Sequence, residues 1–185
     1  MIIALTGTPG TGKTSVAEVL KTKGFKIVDL NKEACENDFL IGKDIKRDSN
    51  IVDIEKLNNF IFEKYCSKET IFIEGHLSHF LKKVDKIIIL RCHPEKLKKN
   101  LLKKGWNKEK INENLEAEIL DIILCETVEI HKKNSIFEID VSDKSIKEIS
   151  EKIIEIIKNR FKMLEEYKIG KIDWSEEILK DFNAG

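Results

Sequence analysis

The chain opens on Met1-Ile2-Ile3-Ala4-Leu5-Thr6, a short apolar run closed by Gly7, which is the pattern of a strand covered on both faces in a parallel sheet. From Thr14 onward Val16, Ala17, Val19 and Leu20 recur at helical spacing, and Gly24 follows as a left-handed C-terminal cap. A second strand is predicted over 25–28. Further strand-like runs occupy 70–74, 86–91 and 135–139, with helical patterns between and after them. Strands separated by helices imply right-handed crossovers, so the chain is predicted to be α/β, a five-stranded parallel sheet flanked by helices.

Two stretches break the alternation. Residues 31–52 are polar and irregular and lead into a helix that Asp53 can cap, with Ile54, Leu57, Ile61 and Phe62 as its candidate buried face. This reads as an inserted flap. The helix starting near Pro94 meets Lys103-Lys104-Gly105-Trp106-Asn107, where Gly105 ends one helix and Asn107 caps the next. From there one long helical pattern runs to about 133, and a short mobile corner is expected at its start. A last sheet-packing helix is predicted over about 143–161. The segment 163–185 then stands apart, with Leu164, Tyr167, Ile169, Ile172, Trp174, Ile178, Leu179 and Phe182 either packed on the core or docking a partner.

Composition narrows the function classes. Lys+Arg and Asp+Glu are both 33 in 185 residues, so there is no strongly basic field to draw nucleic acid and no acidic excess of a disordered tail protein. Direct nucleic-acid binding is not expected as the main contact. Cys35, Cys66, Cys92 and Cys125 form no CxxC pair, which points to reduced thiols in a cytoplasm rather than a zinc knuckle or redox dithiol. Apolar runs such as Ile87-Ile88-Ile89-Leu90 fall far short of the ~20 residues of a membrane helix, and no export signal opens the chain. A cytoplasmic protein without membrane contact is expected.

The chemistry concentrates in a few motifs. Gly7-Thr8-Pro9-Gly10-Thr11-Gly12-Lys13-Thr14 fits GxxxxGK[ST] between a predicted strand and a predicted helix, the context a P-loop requires. Backbone N–H groups and the helix N-terminus cradle phosphates, Lys13 reaches the β and γ phosphates, and Thr14 can ligate Mg2+. The strand 70–74 ends in Glu74, a candidate carboxylate beside Mg2+, with a solvated strand-end acid as the alternative. His76 is read either as a nucleotide-contacting or coupling group or as packing, and with His79 and Glu74 it offers too few ligands for a transition metal. Lys103, Lys104, Lys108 and Lys110 around Trp106 are either a solvated basic face or a lid that excludes water from transferred phosphate. Lys144 follows the last strand, where P-loop folds often hold the base, although that loop serves equally as a helix cap.

In this order the pieces resemble the small adenylate-kinase-like P-loop proteins called the coilin-interacting nuclear ATPase family in animals, which have archaeal adenylate-kinase members. The likeness covers about 1–161 and rests on three signatures. They are the run Leu5 to Thr14, then Glu74-Gly75-His76-Leu77-Ser78-His79, then Lys104-Gly105-Trp106-Asn107-Lys108-Glu109-Lys110-Ile111-Asn112-Glu113-Asn114 with Glu116-Ala117-Glu118-Ile119. The tail words Gly170-Lys171-Ile172-Asp173-Trp174-Ser175-Glu176 are also similar to archaeal members.

The resemblance implies a P-loop NTPase fold over 1–162, a monophosphate-binding flap at 31–53, a lid at 103–113 and a C-terminal extension at 163–185. It implies phosphoryl transfer from ATP to AMP or a related nucleoside monophosphate, giving two ADP with Mg2+. It further implies a side ATPase activity and a role in small-ribosomal-subunit maturation and rRNA processing, through the eleventh universal small-subunit ribosomal protein. By position, Gly10, Gly12, Lys13, Thr14 and Ser15 would bind phosphates, Glu74 and His76 would form the second nucleotide motif, Lys104 would stand in the lid and Lys144 near adenine. The family's lid usually reads Arg-Gly-Tyr, where this chain has Lys104-Gly105-Trp106, and Asn100 replaces a common arginine. Lysine supplies charge without the planar fork of a guanidinium.

Three functions compete on these residues. The first is a nucleoside-monophosphate kinase, which the two inserts favour. The second is an ATP-driven assembly switch with vestigial kinase activity, and the third a kinase for another small acceptor such as shikimate or dephospho-coenzyme A. No NKxD occurs, which disfavours a GTPase.

Overall fold

The structure is a computed structural model that describes residues 1–44, 49–65, 69–162 and 165–177. Its centre is a five-stranded sheet built from β1 (Ile2–Thr6), β2 (Lys26–Asp29), β5 (Ile71–Glu74), β6 (Lys86–Arg91) and β7 (Ile136–Asp140). The strands lie in the order β2-β5-β1-β6-β7 with every pairing parallel. Each matches its predicted run to within a residue at either end.

Strand periodicity sorts the core into two layers. Ile3, Leu5, Phe72, Ile88, Leu90, Phe137 and Ile139 face α1 (Lys13–Thr22), α4 (Pro94–Lys103) and α7 (Ile146–Lys158) in one cluster. Ile2, Ile71 and Ile73 face α2 (Leu30–Glu36) and α3 (Ile54–Lys64), while Ala4, Ile87 and Ile89 meet α6 (Ile122–Ile130). Helix starts are capped where the sequence indicates. Asp53 accepts from the Lys56 amide and Asn107 from the Lys110 amide, and Ser145 and Glu148 close a reciprocal capping box on α7.

Two expectations need correction. The flap is not irregular: it holds α2 and an antiparallel hairpin of β3 (Leu40–Asp44) and β4 (Ser49–Val52), separate from the main sheet. The helical pattern predicted to run unbroken to about 133 is two helices, α5 (Lys108–Ile119) and α6, divided where Asp121 adopts a left-handed φ of 54°. On α3, Leu57 and Ile61 are buried as expected, Ile54 and Phe62 are half-buried, and Asn58 is buried with them. Of the tail, Tyr167 and Ile169 pack on the core, whereas Leu164, Ile178, Leu179 and Phe182 lie outside the described residues. Among the described residues no helix is long and apolar enough to cross a membrane.

Candidate active site

The P-loop connects β1 to α1 and depends on its glycines. Gly7 sits at φ 141°, and a Cβ there would come 2.4 Å from the Leu90 backbone oxygen, so the loop can pass β6 only without a side chain. Gly12 takes φ 91° as the residue before α1, which turns the following amides toward the space where a phosphate would lie.

Lys13 heads α1 and is only 8% exposed. Its ammonium donates to the carbonyls of Gly7 (2.7 Å) and Thr8 (3.0 Å), folding back on its own loop. Burial lowers its pKa to about 8, with Lys104 pushing the same way and Glu74 and Glu118 opposing. The Thr14 hydroxyl donates to Glu74 Oε1 at 3.3 Å. Burial raises the Glu74 pKa, and Asp29 adds to the rise from the register position opposite Glu74 on β2. A threonine hydroxyl and a buried carboxylate beside a phosphate loop are hard oxygen donors of the kind Mg2+ takes, with phosphate and water completing its shell. Among the described residues, no group of three or more His, Cys, Asp or Glu is arranged for a metal.

His76 follows Glu74 and lines the same cleft; burial, then the charge of Lys13, drops its pKa to about 4, so its ring is neutral at pH 7. His79 has a different place. It is buried under the loop, with Nδ1 3.1 Å from the Thr6 hydroxyl and Nε2 3.0 Å from Glu126, and the His131 ring reaches its backbone oxygen at 2.7 Å.

Gly12, Lys13, Thr14, Glu74 and His76, but not His79, open on one cleft of about 1080 Å3. Gly10, Gly12, Lys13, Thr14 and Ser15 form one wall, and Asn31 and Ser49 come from the flap. From the corner after α4 come Lys103, Lys104, Trp106 and Lys110, the Lys104 and Lys110 ammonium groups standing 5.7 and 4.7 Å from the Trp106 ring centre. Lys108 is not part of the lining. Neither is Lys144, whose ammonium donates to the Asp140 carbonyl at 2.8 Å; Ile146, two residues on, takes its place at the cleft.

Several supporting contacts escape a reading of the sequence. The Asn100 amide donates to the Gly10 carbonyl at 3.0 Å, holding the loop from α4. Beneath the loop, buried Glu118 accepts from the Thr8 hydroxyl at 2.5 Å, from Arg91 Nε at 2.9 Å and from the Cys92 amide at 3.0 Å. Arg91 also donates to Glu138 at 2.6 Å and pairs with Asp121. The sequence shows Arg91 at the end of an apolar strand and Glu118 within a family signature, but not that the two meet.

The strand order, the glycine loop at the C-terminal end of β1 and the inserts around a shared cleft define a P-loop kinase fold. Solved structures agree: shikimate kinase from Acinetobacter baumannii in complex with shikimate superposes with a TM-score of 0.62 at 15% identity, over 88% of this chain and 95% of that one. Thymidylate kinase from Candida albicans follows with a TM-score of 0.56 at 15% identity, covering 86% and 91%. Residues 3–121 match the family described as AAA domain. A protein named "Putative adenylate kinase" from Methanocaldococcus jannaschii is 41% identical over 97% of this chain and 96% of its own length. Another of that name from Pyrococcus abyssi is 40% identical over 100% and 99%. The chain therefore belongs to the AAA-domain family and to the family of these archaeal proteins.

Proposed function

We propose that the chain is an adenylate kinase, transferring the γ-phosphate of ATP to AMP to give two ADP in the presence of Mg2+. The observation that carries this reading is the single cleft into which phosphate loop, flap and lid all open. Ligand sites commonly enclose ~300–1000 Å3, so a cleft of about 1080 Å3 suits two nucleotides better than one. The names of the archaeal relatives support adenylate as the acceptor.

In this reading Lys13 exchanges the Gly7 and Thr8 carbonyls for phosphate oxygens, and Gly10, Gly12 and Ser15 contribute to the cradle. Thr14 and Glu74 would hold Mg2+, which when bound offsets negative charge on the transferred group. Lys104 brings a second positive charge from the lid, without the bidentate grip of arginine. Neutral His76 donates or accepts one hydrogen bond beside the reacting phosphates, and Trp106 helps exclude water. An acceptor phosphate oxygen attacks the γ-phosphorus, the β–γ bridging P–O bond breaks, and ADP leaves with the electron pair.

The test is ADP formation from ATP with and without AMP. AMP is expected to raise the rate at least about a hundredfold, consistent with phosphoryl transfer depending on positioning of both partners. Equal rates would replace the kinase by an ATPase, and faster turnover with shikimate or dephospho-coenzyme A would change the acceptor. The arm without AMP also measures the ATPase side activity. A role in small-subunit maturation and rRNA processing is supported by the sequence resemblance. It predicts that the purified chain co-elutes with the eleventh universal small-subunit ribosomal protein, and separate elution at micromolar concentration would remove that partner.

A further inference from the structure

The turn between α5 and α6 is built in an unusual way. Asp121 is a non-glycine residue at φ 54°, a conformation aspartate tolerates better than most residues but still at a cost. Aspartate before a helix ordinarily caps that helix's amides. Asp121 makes no such cap. Its carboxylate instead pairs with the buried guanidinium of Arg91, which is itself fixed by Glu118 and Glu138. The turn is thus held from the sheet beneath it.

What the turn presents is apolar. Leu120 and Ile122, on either side of Asp121, are 56% and 40% exposed, and both line the cleft. Neighbouring Ile111 and Leu124 of the same two helices are buried. Among the described residues, the other large exposed apolar side chains, Leu40, Ile41, Ile51, Leu102 and Ile130, are not cleft-lining. A strained backbone that keeps bare apolar side chains in a cleft that also holds Lys13, Lys103, Lys104 and Lys110 is expected where a ligand covers them.

Location decides which part of the ligand. α6 packs against the short turn Ser78–Phe80, which follows Glu74 and His76 at the end of β5. Ile146, by contrast, follows β7 and meets the P-loop at Gly12. The two lie on opposite faces of the sheet: Ile123 and Leu124 of α6 pack with Ala4, Ile87 and Ile89 on the face that also carries α2 and α3, whereas Ile146 packs with the cluster of α1, α4 and α7. The apolar pair therefore belongs to the side of the cleft next to the α2, α3 and α6 face of the sheet, which the flap enters through Asn31 and Ser49.

We propose that Leu120 and Ile122 form a shelf for the flat face of the acceptor's nucleobase, with the Asp121–Arg91 pair fixing its position. The proposal rests on the nucleoside-monophosphate kinase reading and specifies the part of the acceptor that the site selects. A nucleobase has an apolar face to lay on such a shelf, whereas phosphate and ribose do not.

Equilibrium binding of AMP and of ATP to the full chain tests it, with Leu120→Ser, Ile122→Ser and Leu120→Met as variants. Each serine variant is expected to weaken AMP about five- to tenfold by removing buried apolar area. ATP binding should change less than twofold, and Leu120→Met should retain AMP affinity within twofold. Unchanged AMP binding in the serine variants, equal weakening of both nucleotides, or a parent that binds no AMP would each overturn the shelf. The kinase reading fails separately, if the parent binds AMP but transfers no phosphate to it.

Discussion

Lys13 combines burial, an inward fold onto two carbonyls and a pKa near 8. Burial makes its charge costly, so between about 8 and its ordinary 10.5 the folded chain holds this proton less often than the unfolded chain. The contribution of this group to stability therefore rises with pH across that window. Phosphate oxygens act in the opposite direction, raising the lysine's proton affinity when they bind. ATP binding at pH 8.5 is accordingly expected to take up protons, and affinity should fall by up to about tenfold per pH unit above 8. Calorimetry in buffers of different ionisation heat measures the uptake, and a buffer-independent heat would exclude it. Lys13→Ala should lower kcat with ATP and AMP at least about a hundredfold. The melting temperature should hold or rise, since the fold loses a buried charge; a parental rate would reject Lys13 as a phosphate ligand.

At the scale of elements, what is local in sequence was legible and what depends on distant partners was not. The P-loop and the five strands show plainly because a glycine turn, an apolar run and a capping residue each act over a few positions. The division of α5 from α6 is hidden because Ile119, Leu120, Ile122, Ile123 and Leu124 continue the apolar pattern without glycine or proline. The group that holds Asp121 is Arg91, 30 residues away. The flap hairpin is hidden for another reason: Ile41 and Ile51 remain exposed, so no buried face imposes an alternation. Around the cleft, Lys13, Glu74 and His76 stand out by motif and Lys104 by the family resemblance, which also covers Asn100 and Glu118; what the sequence hides is their contacts, since Asn100 reaches Gly10 across 90 residues and Glu118 reaches Thr8 across 110. The Arg91 network has a measurable consequence. Arg91→Met would leave Glu118, Glu138 and Asp121 around a site with no cation, at a cost of about 3–5 kcal/mol. Urea unfolding reads this directly, and a loss under about 1 kcal/mol would show that the network sets geometry without contributing stability.

Across the whole molecule the tail binds parts of the fold that are far apart. Tyr167 is buried in the cluster on one face of the sheet and Ile169 packs with the cluster on the other, so residues 165–177 cross the β7 edge. The Gly170 amide donates to Glu138 at 2.7 Å, which connects this strap to the Arg91 network. Farther on, Trp174 meets the His93 ring edge-on at 5.0 Å, and Glu177 lies 3.4 Å from His93 Nε2. An edge strand covered in this way is shielded from pairing with other chains. Ending the chain at Phe161 removes the buried tyrosine, worth ~2–3 kcal/mol, and leaves Glu138 short of one donor, worth ~1–3 kcal/mol. At roughly 2–4 °C per kcal/mol for a chain of this size, the melting temperature should fall by about 10 °C. A chain ending at Glu177 keeps every one of these contacts and should melt above the chain ending at Phe161. Scanning calorimetry with size-exclusion chromatography separates the outcomes: the shorter chain is expected to melt early and associate through β7. If it melts with the parent and stays monomeric, the strap contributes nothing to the core, and the tail is free to serve as a docking arm.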